Sequence, residues 1–133
     1  MNNSLEILYD EHVVITRAAT LARDAASLIG NRNEQYETTM RELIRFFRMY
    51  ADQYHHHKEE IILFPEMAKK NELVASGIIQ EMFDNHTHFR DLLRTIETDL
   101  NHKEYTTAAK NVVEYTEALL DHIAVENDEV FQT

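Results

Sequence analysis

The chain has no cysteine, one proline and two glycines in 133 residues. Without cysteine there is no disulfide, no thiolate nucleophile, no zinc ribbon and no cysteine-held iron–sulfur cluster. So little proline and glycine leaves few turns, which favours a handful of long helices. Positive charge is also scarce. Lys+Arg number 13 against 24 Asp+Glu, a formal net charge of -11. Such a surface repels phosphate, which argues against nucleic acid and anionic membranes as partners. No segment is long and apolar enough to span a bilayer. Residues 1–6 lack the basic start and apolar run of a signal peptide. These absences predict a soluble cytoplasmic protein. At this length one domain over 1–133 is the default, large enough for a core without staples.

What the sequence does have is an apolar seam in steps of three and four, written four times. Behind a capping-box pattern of Asn3 and Glu6 the first seam runs Leu5, Leu8, His12, Ile15, Ala19, Ala22, Ala26 and Ile29, and Gly30 is placed to stop it. Asn33 is a candidate cap for the second helix. Its seam reads Met40, Ile44, Phe47, Ala51, His55, Glu59 and Ile62, and Pro65 is expected to close it. Residues 67–76 read as a connection with room for one short helical turn, and Ser76-Gly77 as the start of the third helix. The third seam is Ile79, Met82, His86, Phe89, Leu93, Ile96 and Leu100. After a turn at Asn101-His102-Lys103, the fourth is Tyr105, Ala108, Val112, Tyr115, Leu119, His122 and Glu126. Four amphipathic helices with short links predict an all-α fold, an up-down-up-down antiparallel four-helix bundle.

Eight histidines are many for this length, and each seam carries one of them: His12, His55, His86 and His122. His12 and His86 follow the starts of odd helices by about nine residues. His55 and His122 precede the ends of even helices by about nine. In an antiparallel bundle these positions fall at one level, roughly 12–14 Å from the same end at ~1.5 Å per residue. Glu59 and Glu126 each follow a seam histidine by four residues and share its helix face. Phe64 and Phe131 each follow one by nine, so the two segments look like repeats. Carboxylates just before Pro65 would sit at a helix C-terminus, where the macrodipole is negative, and call for a positive partner. His56 and Glu60 also fit the spacing, but they lie off the seam and are left either solvated or as outer partners of the ligands. His57, His88 and His102 are expected to face solvent. One seam histidine alone is more often a satisfied core residue than a ligand. Four at one level with two glutamates would cost several kcal/mol if left dry and unpaired, so a bound metal is the better reading.

The donors are nitrogen and oxygen only, which suits iron, with manganese or zinc also possible. Four imidazoles and the oxygens of two glutamates make eight donor bonds. Two ions of about six ligands each need roughly twelve. A bridging oxide or hydroxide and a small exogenous ligand make up the difference.

The run His55-His56-His57-Lys58-Glu59-Glu60-Ile61-Ile62-Leu63-Phe64-Pro65 resembles the HHE signature of the hemerythrin-like family. His12, Asn85-His86 and His122-Ile123-Ala124-Val125-Glu126 stand where that family has its other ligands. The resemblance covers essentially the whole chain. It implies two iron ions in a four-helix bundle, with His12, His55, His86 and His122 as terminal ligands and Glu59 and Glu126 as bridges. The sequence departs from the oxygen-carrying members at position 90, where a second third-helix histidine is replaced by Arg90, so a fifth histidine is missing unless His56 or another residue moves in. The resemblance then fits the broader HHE domains, which include iron and oxygen sensors and proteins answering nitric oxide or oxidative stress. The implied partner is a small diatomic or peroxide ligand: O2, NO or peroxide. Other readings are an enzyme acting on peroxide, NO or damaged iron–sulfur clusters, a metal-dependent regulatory module, and a purely structural bundle.

Overall fold

The computed structural model describes residues 3–26, 33–70 and 75–131. They form four helical rods. The first is α1, Asn3–Ala26. The second begins as α2, Asn33–Phe46, and passes through π-helical turns over Phe47–His56 and Glu59–Leu63 into α3, Phe64–Lys70. The third opens with a π turn over Ala75–Ile79 and becomes α4, Gln80–Asn101. The fourth is α5, Tyr105–Val125, ending in a π turn over Glu126–Val130.

Pairings at the two ends fix the antiparallel order. At one end Glu37 of α2 accepts from Lys103 Nζ at 3.0 Å and Tyr105 Oη at 3.1 Å. Arg41 Nη2 reaches Asn101 Oδ1 at 2.9 Å. At the other end Glu11, near the start of α1, meets the second rod at His55 and Lys58. The α4–α5 link closes with paired hydrogen bonds, Glu104 N–H to Asp99 O at 2.8 Å and Lys103 N–H to Leu100 O at 3.1 Å. This is a Schellman cap with Lys103 at φ 59 in the left-handed position that usually takes glycine.

The seams read from the sequence point inward almost throughout. The larger core gathers Ile15, Met40, Ile44, Phe47, Leu93, Ile96 and Leu119, all buried. Its aromatic centre is Tyr115, whose ring lies 5.0 Å from Phe47 and 5.8 Å from Phe89. A smaller core at the other end gathers Leu8, Phe64, Ile79, Met82, Val130 and Phe131. Each large apolar side chain so buried contributes about 1.5–3 kcal/mol. Between the two cores lies a buried polar layer.

Three expectations fail in the second rod, for one reason. Pro65 does not close the helix, which runs on to Lys70, so part of the expected 67–76 connection is helical. Ile62 is 61% exposed, although the seam placed it inside. The carboxylates of Glu59 and Glu60 therefore sit mid-rod, not at a C-terminus, and the macrodipole argument for a compensating cation does not apply. The cause is π winding. Phe64 N–H bonds to Glu59 O and His57 N–H to Asp52 O, five residues back. A turn of more than four residues retards the inward stripe, which becomes Phe47, Ala51, His55, Glu59 and Phe64. The wider turn also gives the Pro65 ring room at a carbonyl it would otherwise strike. Ser76-Gly77 falls inside the π turn that opens the third rod. Ile29, Gly30 and the capping side chains of Asn3 and Asn33 lie outside the described residues. Among the described residues no helix is long and apolar enough to cross a membrane.

Candidate metal centre

All four seam histidines and both glutamates reach the polar layer. His55, His86, Glu59 and Glu126 are fully buried, and His12 and His122 nearly so. His56 joins them, with only 2% of its surface exposed. The second rod is π-wound over Phe47–His56 and again over Glu59–Leu63, and the adjacent His55 and His56 are both buried there. His57, His88 and His102 are exposed, as expected.

The side chains form two donor groups. One holds His56, Glu59, His86 and His122; the other holds His12, His55, Glu59 and Glu126, with one donor atom from each residue within 4.8 Å of the rest. Glu59 belongs to both. Its Oε2 lies 3.6 Å from His55 Nε2 in one group and its Oε1 3.4 Å from His86 Nε2 in the other. Glu126 spans them too. Its Oε1 is 3.1 Å from His12 Nε2 and 3.2 Å from His122 Nε2. The groups pack tightly: His56 stacks on His86 with centroids 3.9 Å apart, and His12 lies 4.6 Å from His55. The Nε2 atoms of His86 and His122 approach to 3.2 Å.

The far nitrogens of most rings are held from outside. His55 Nδ1 donates to Glu11 Oε1 at 2.7 Å, and Glu11 is capped by Lys58 Nζ at 2.5 Å. His86 Nδ1 donates to Glu60 Oε2 at 2.7 Å. His12 Nδ1 donates to Asn127 Oδ1 at 2.8 Å. These bonds leave each Nε2 as a bare lone pair aimed into the layer, the tautomer a metal requires. The sequence reading left Glu60 open and did not single out Glu11, Asn127 or Asp52. Glu11 carried a usable signal: it stands next to a seam histidine, toward the second helix.

The electrostatics fit a cation. Burial holds the His55, His56 and His86 imidazoles below their ordinary value, so they stay neutral. Burial and the nearby Glu126 push the Glu59 carboxyl well up. Burial opposes ionisation of Glu126 as well, but His122, Glu59 and His12 outweigh it and hold that group well down. Without a cation the two carboxyls behave as a pair sharing one proton. Among the described residues nine buried side-chain atoms lack a hydrogen bond. All but the Tyr36 hydroxyl belong to this layer, and they include both oxygens of Glu59 and of Glu126. Several contacts are short yet misaligned, as expected of donors converging on a common point. A dry layer with that many unmet groups would cost several kcal/mol; a cation would meet the inward-facing ones together, His12 Nε2, His55 Nε2 and the four carboxylate oxygens.

A pH dependence follows for the metal-free chain. Below the unfolded value of 6.5, an unfolded chain protonates His55, His56 and His86 while the fold keeps them neutral. Stability is therefore lost as pH falls through that window. Glu59, raised above 4.5, acts in the opposite sense, but it is one group against three. The melting temperature of chelated protein is expected to fall between about pH 7 and about pH 5. A rise toward acid would contradict the assignment of neutral buried rings.

A family model, the hemerythrin HHE cation binding domain, matches residues 3–133. The chain belongs to the hemerythrin HHE family, and its four-helix bundle with a buried His/Glu cluster is a cation-binding fold. Neither a curated protein nor a solved structure matches the chain.

Proposed function

We propose that this chain is a single-domain, non-haem di-iron protein that binds O2 or a related small ligand such as NO or peroxide, with a storage, sensing or stress-response role. The observation that carries the reading is Glu59, a fully buried carboxylate shared by two donor groups. His12, His55, His86 and His122 serve as terminal ligands and Glu59 and Glu126 as bridges. His56 takes the place of the fifth histidine, whose expected position on α4 is Arg90.

The donor count then becomes uneven. Three imidazoles, His56, His86 and His122, serve one ion, and two, His12 and His55, serve the other. Glu59 has one oxygen toward each, and Glu126 sets its Oε1 between His12 and His122. The His12/His55 side would thus offer fewer protein donors, and a small ligand would have more room there. A pair of iron ions would supply redox chemistry and a place for that ligand. The protein's own contribution is to orient the imidazoles through Glu11, Glu60 and Asn127 and to keep water from the layer. The nitrogen-rich set favours iron over magnesium or calcium, and manganese or zinc are the competitors.

The test is metal analysis of untagged protein expressed with ample iron. Two irons per chain and ferric charge-transfer absorption after exposure to air are expected. A colourless chain carrying zinc, or carrying no more than one iron, would overturn the reading. A metal-dependent regulatory role is the second reading. It is favoured by the inward-facing orphan atoms of His12, His55, Glu59 and Glu126, which a cation would satisfy and which tie the packing of both cores to occupancy.

A further inference from the structure

Arg90 departs from the oxygen-carrying pattern, and the structure gives it definite contacts. It lies on α4, four residues after His86. Its Nε donates to Asp52 Oδ1 at 2.9 Å and Oδ2 at 3.0 Å. Its Nη2 lies 2.8 Å from Asp52 Oδ1 and 2.9 Å from Glu60 Oε2. The same Glu60 oxygen accepts from His86 Nδ1 at 2.7 Å. Asp52 Oδ1 lies 3.7 Å from His56 Nδ1. One guanidinium therefore grips two carboxylates, and each carboxylate faces the outer nitrogen of one ring of the stacked His56–His86 pair.

The bland alternative is a surface ion pair. Arg90 is 39% exposed, and exposed pairs contribute little. The acceptors distinguish this case. Glu60 and Asp52 are mostly covered, and what they touch on the far side is fully or nearly fully buried. Asp52, His56 and Glu60 form one ridge at spacing four along the second rod, and Arg90 closes that ridge from the third. A planar fork with donors on several nitrogens can engage two carboxylates at once; a lysine ammonium makes a point contact instead.

We propose that Arg90 is a positioning residue for the three-histidine half of the centre. Through Glu60 it fixes His86, and through Asp52 it keeps a carboxylate 3.7 Å from the outer nitrogen of His56. The helix position that lacks an imidazole thus supplies a clamp for two carboxylates of the neighbouring rod. The inference rests on the di-iron reading above and adds an asymmetry to it: disturbing Arg90 affects one ion of the two. The other half depends on Glu11 with Lys58 and on Asn127, none of which Arg90 touches.

The experiment compares full-length wild type with R90Q, R90K and D52N, each loaded with 57Fe. Competition with a chelator reads affinity, and Mössbauer spectra read the two irons separately. Nitrogen NMR of the metal-free chain reads the ring tautomers of His56 and His86. In R90Q the iron on the three-histidine side is expected to bind about 10- to 100-fold more weakly, the usual effect of losing an outer partner. Its spectral component should change while the other stays, and the His86 tautomer held by Glu60 should begin to exchange. R90K should recover part of the loss, and D52N should disturb the His56 ring while leaving the His86 tautomer as in wild type. A wild type with two irons and an R90Q variant that matches it in affinity, spectrum and tautomers overturns the inference and leaves the di-iron reading intact. So does an R90Q variant that loses both irons equally. A wild type that never holds two irons overturns the di-iron reading itself, and the asymmetric role with it.

Discussion

Replacing Glu59 by glutamine is expected to remove both ions, not one. The amide keeps the size and shape of the side chain but offers one weak acceptor in place of two anionic oxygens. Glu59 is the residue common to the two donor groups, so each half loses a ligand and the pair loses a bridge. Iron content should fall from two per chain to below one, and the charge-transfer absorption should vanish. The same change should leave the metal-free fold as stable as before, or more so. Burial and Glu126 already keep the Glu59 carboxyl protonated when no cation is present, and a neutral amide resembles that protonated form. A melting temperature that rises in the metal-free variant while metal binding collapses is the signature of a group kept for binding at a cost to stability. Equal destabilisation of both forms would instead make Glu59 a structural residue. His12→Ala is the useful control, because His12 belongs to one group alone.

Much of this site was legible in the sequence because bundle geometry is simple. A seam in steps of three and four names the inward face, and counting residues from opposite helix ends names the level. His12, His55, His86, His122, Glu59 and Glu126 lie in two donor groups that share Glu59. The arithmetic broke where the helix did not keep its ordinary pitch. Extending an α seam from His55 leads to Ile62, which faces solvent, and it leaves His56 to one side. The signal of π winding was present in the spacing. Phe64 and Phe131 each follow a seam histidine by nine residues, which is about half a revolution off the seam in an α-helix. In the structure both rings are buried in the smaller core directly beneath the site. Glu59 and Glu126 each open a π turn that ends one residue before its phenylalanine. A nine-residue recurrence of buried residues in two matching segments marks a widened turn, and a widened turn explains why adjacent histidines enter the same layer. Long-range partners were out of reach for a different reason. Asn127 meets His12, and Glu60 meets His86 and Arg90, across rods whose rotation about their axes no one-dimensional pattern fixes.

Stripping the metal is expected to lower the melting temperature steeply. The layer separates two apolar cores and holds buried atoms with no hydrogen-bond partner on His12, His55, His56, His122, Glu59 and Glu126. With ions bound, the inward-facing atoms among them, His12 Nε2, His55 Nε2 and the carboxylate oxygens of Glu59 and Glu126, would be ligands. Without them the fold must bury them unmet, protonate Glu59, or open the layer to water, and each course destabilises it. Metal bound to the folded but not the unfolded chain stabilises by mass action, and a thousandfold excess over the dissociation constant is worth about 4 kcal/mol. Each kcal/mol shifts a domain of this size by roughly 3–5 °C, so removal should cost on the order of 15 °C. The loss should be reversed by adding back iron, and zinc should restore part of it. Opening is expected to start at the π turns, where the ladder carries five-back bonds that Phe64 and Phe131 pin from one side. Hydrogen exchange of the stripped chain should therefore quicken first over 47–63 and 126–130, while the Tyr115 core stays protected. An unchanged melting temperature on chelation would mean that the polar layer stands by itself. It would remove support both from the metal-dependent regulatory role and from the claim that the unmet groups await a cation.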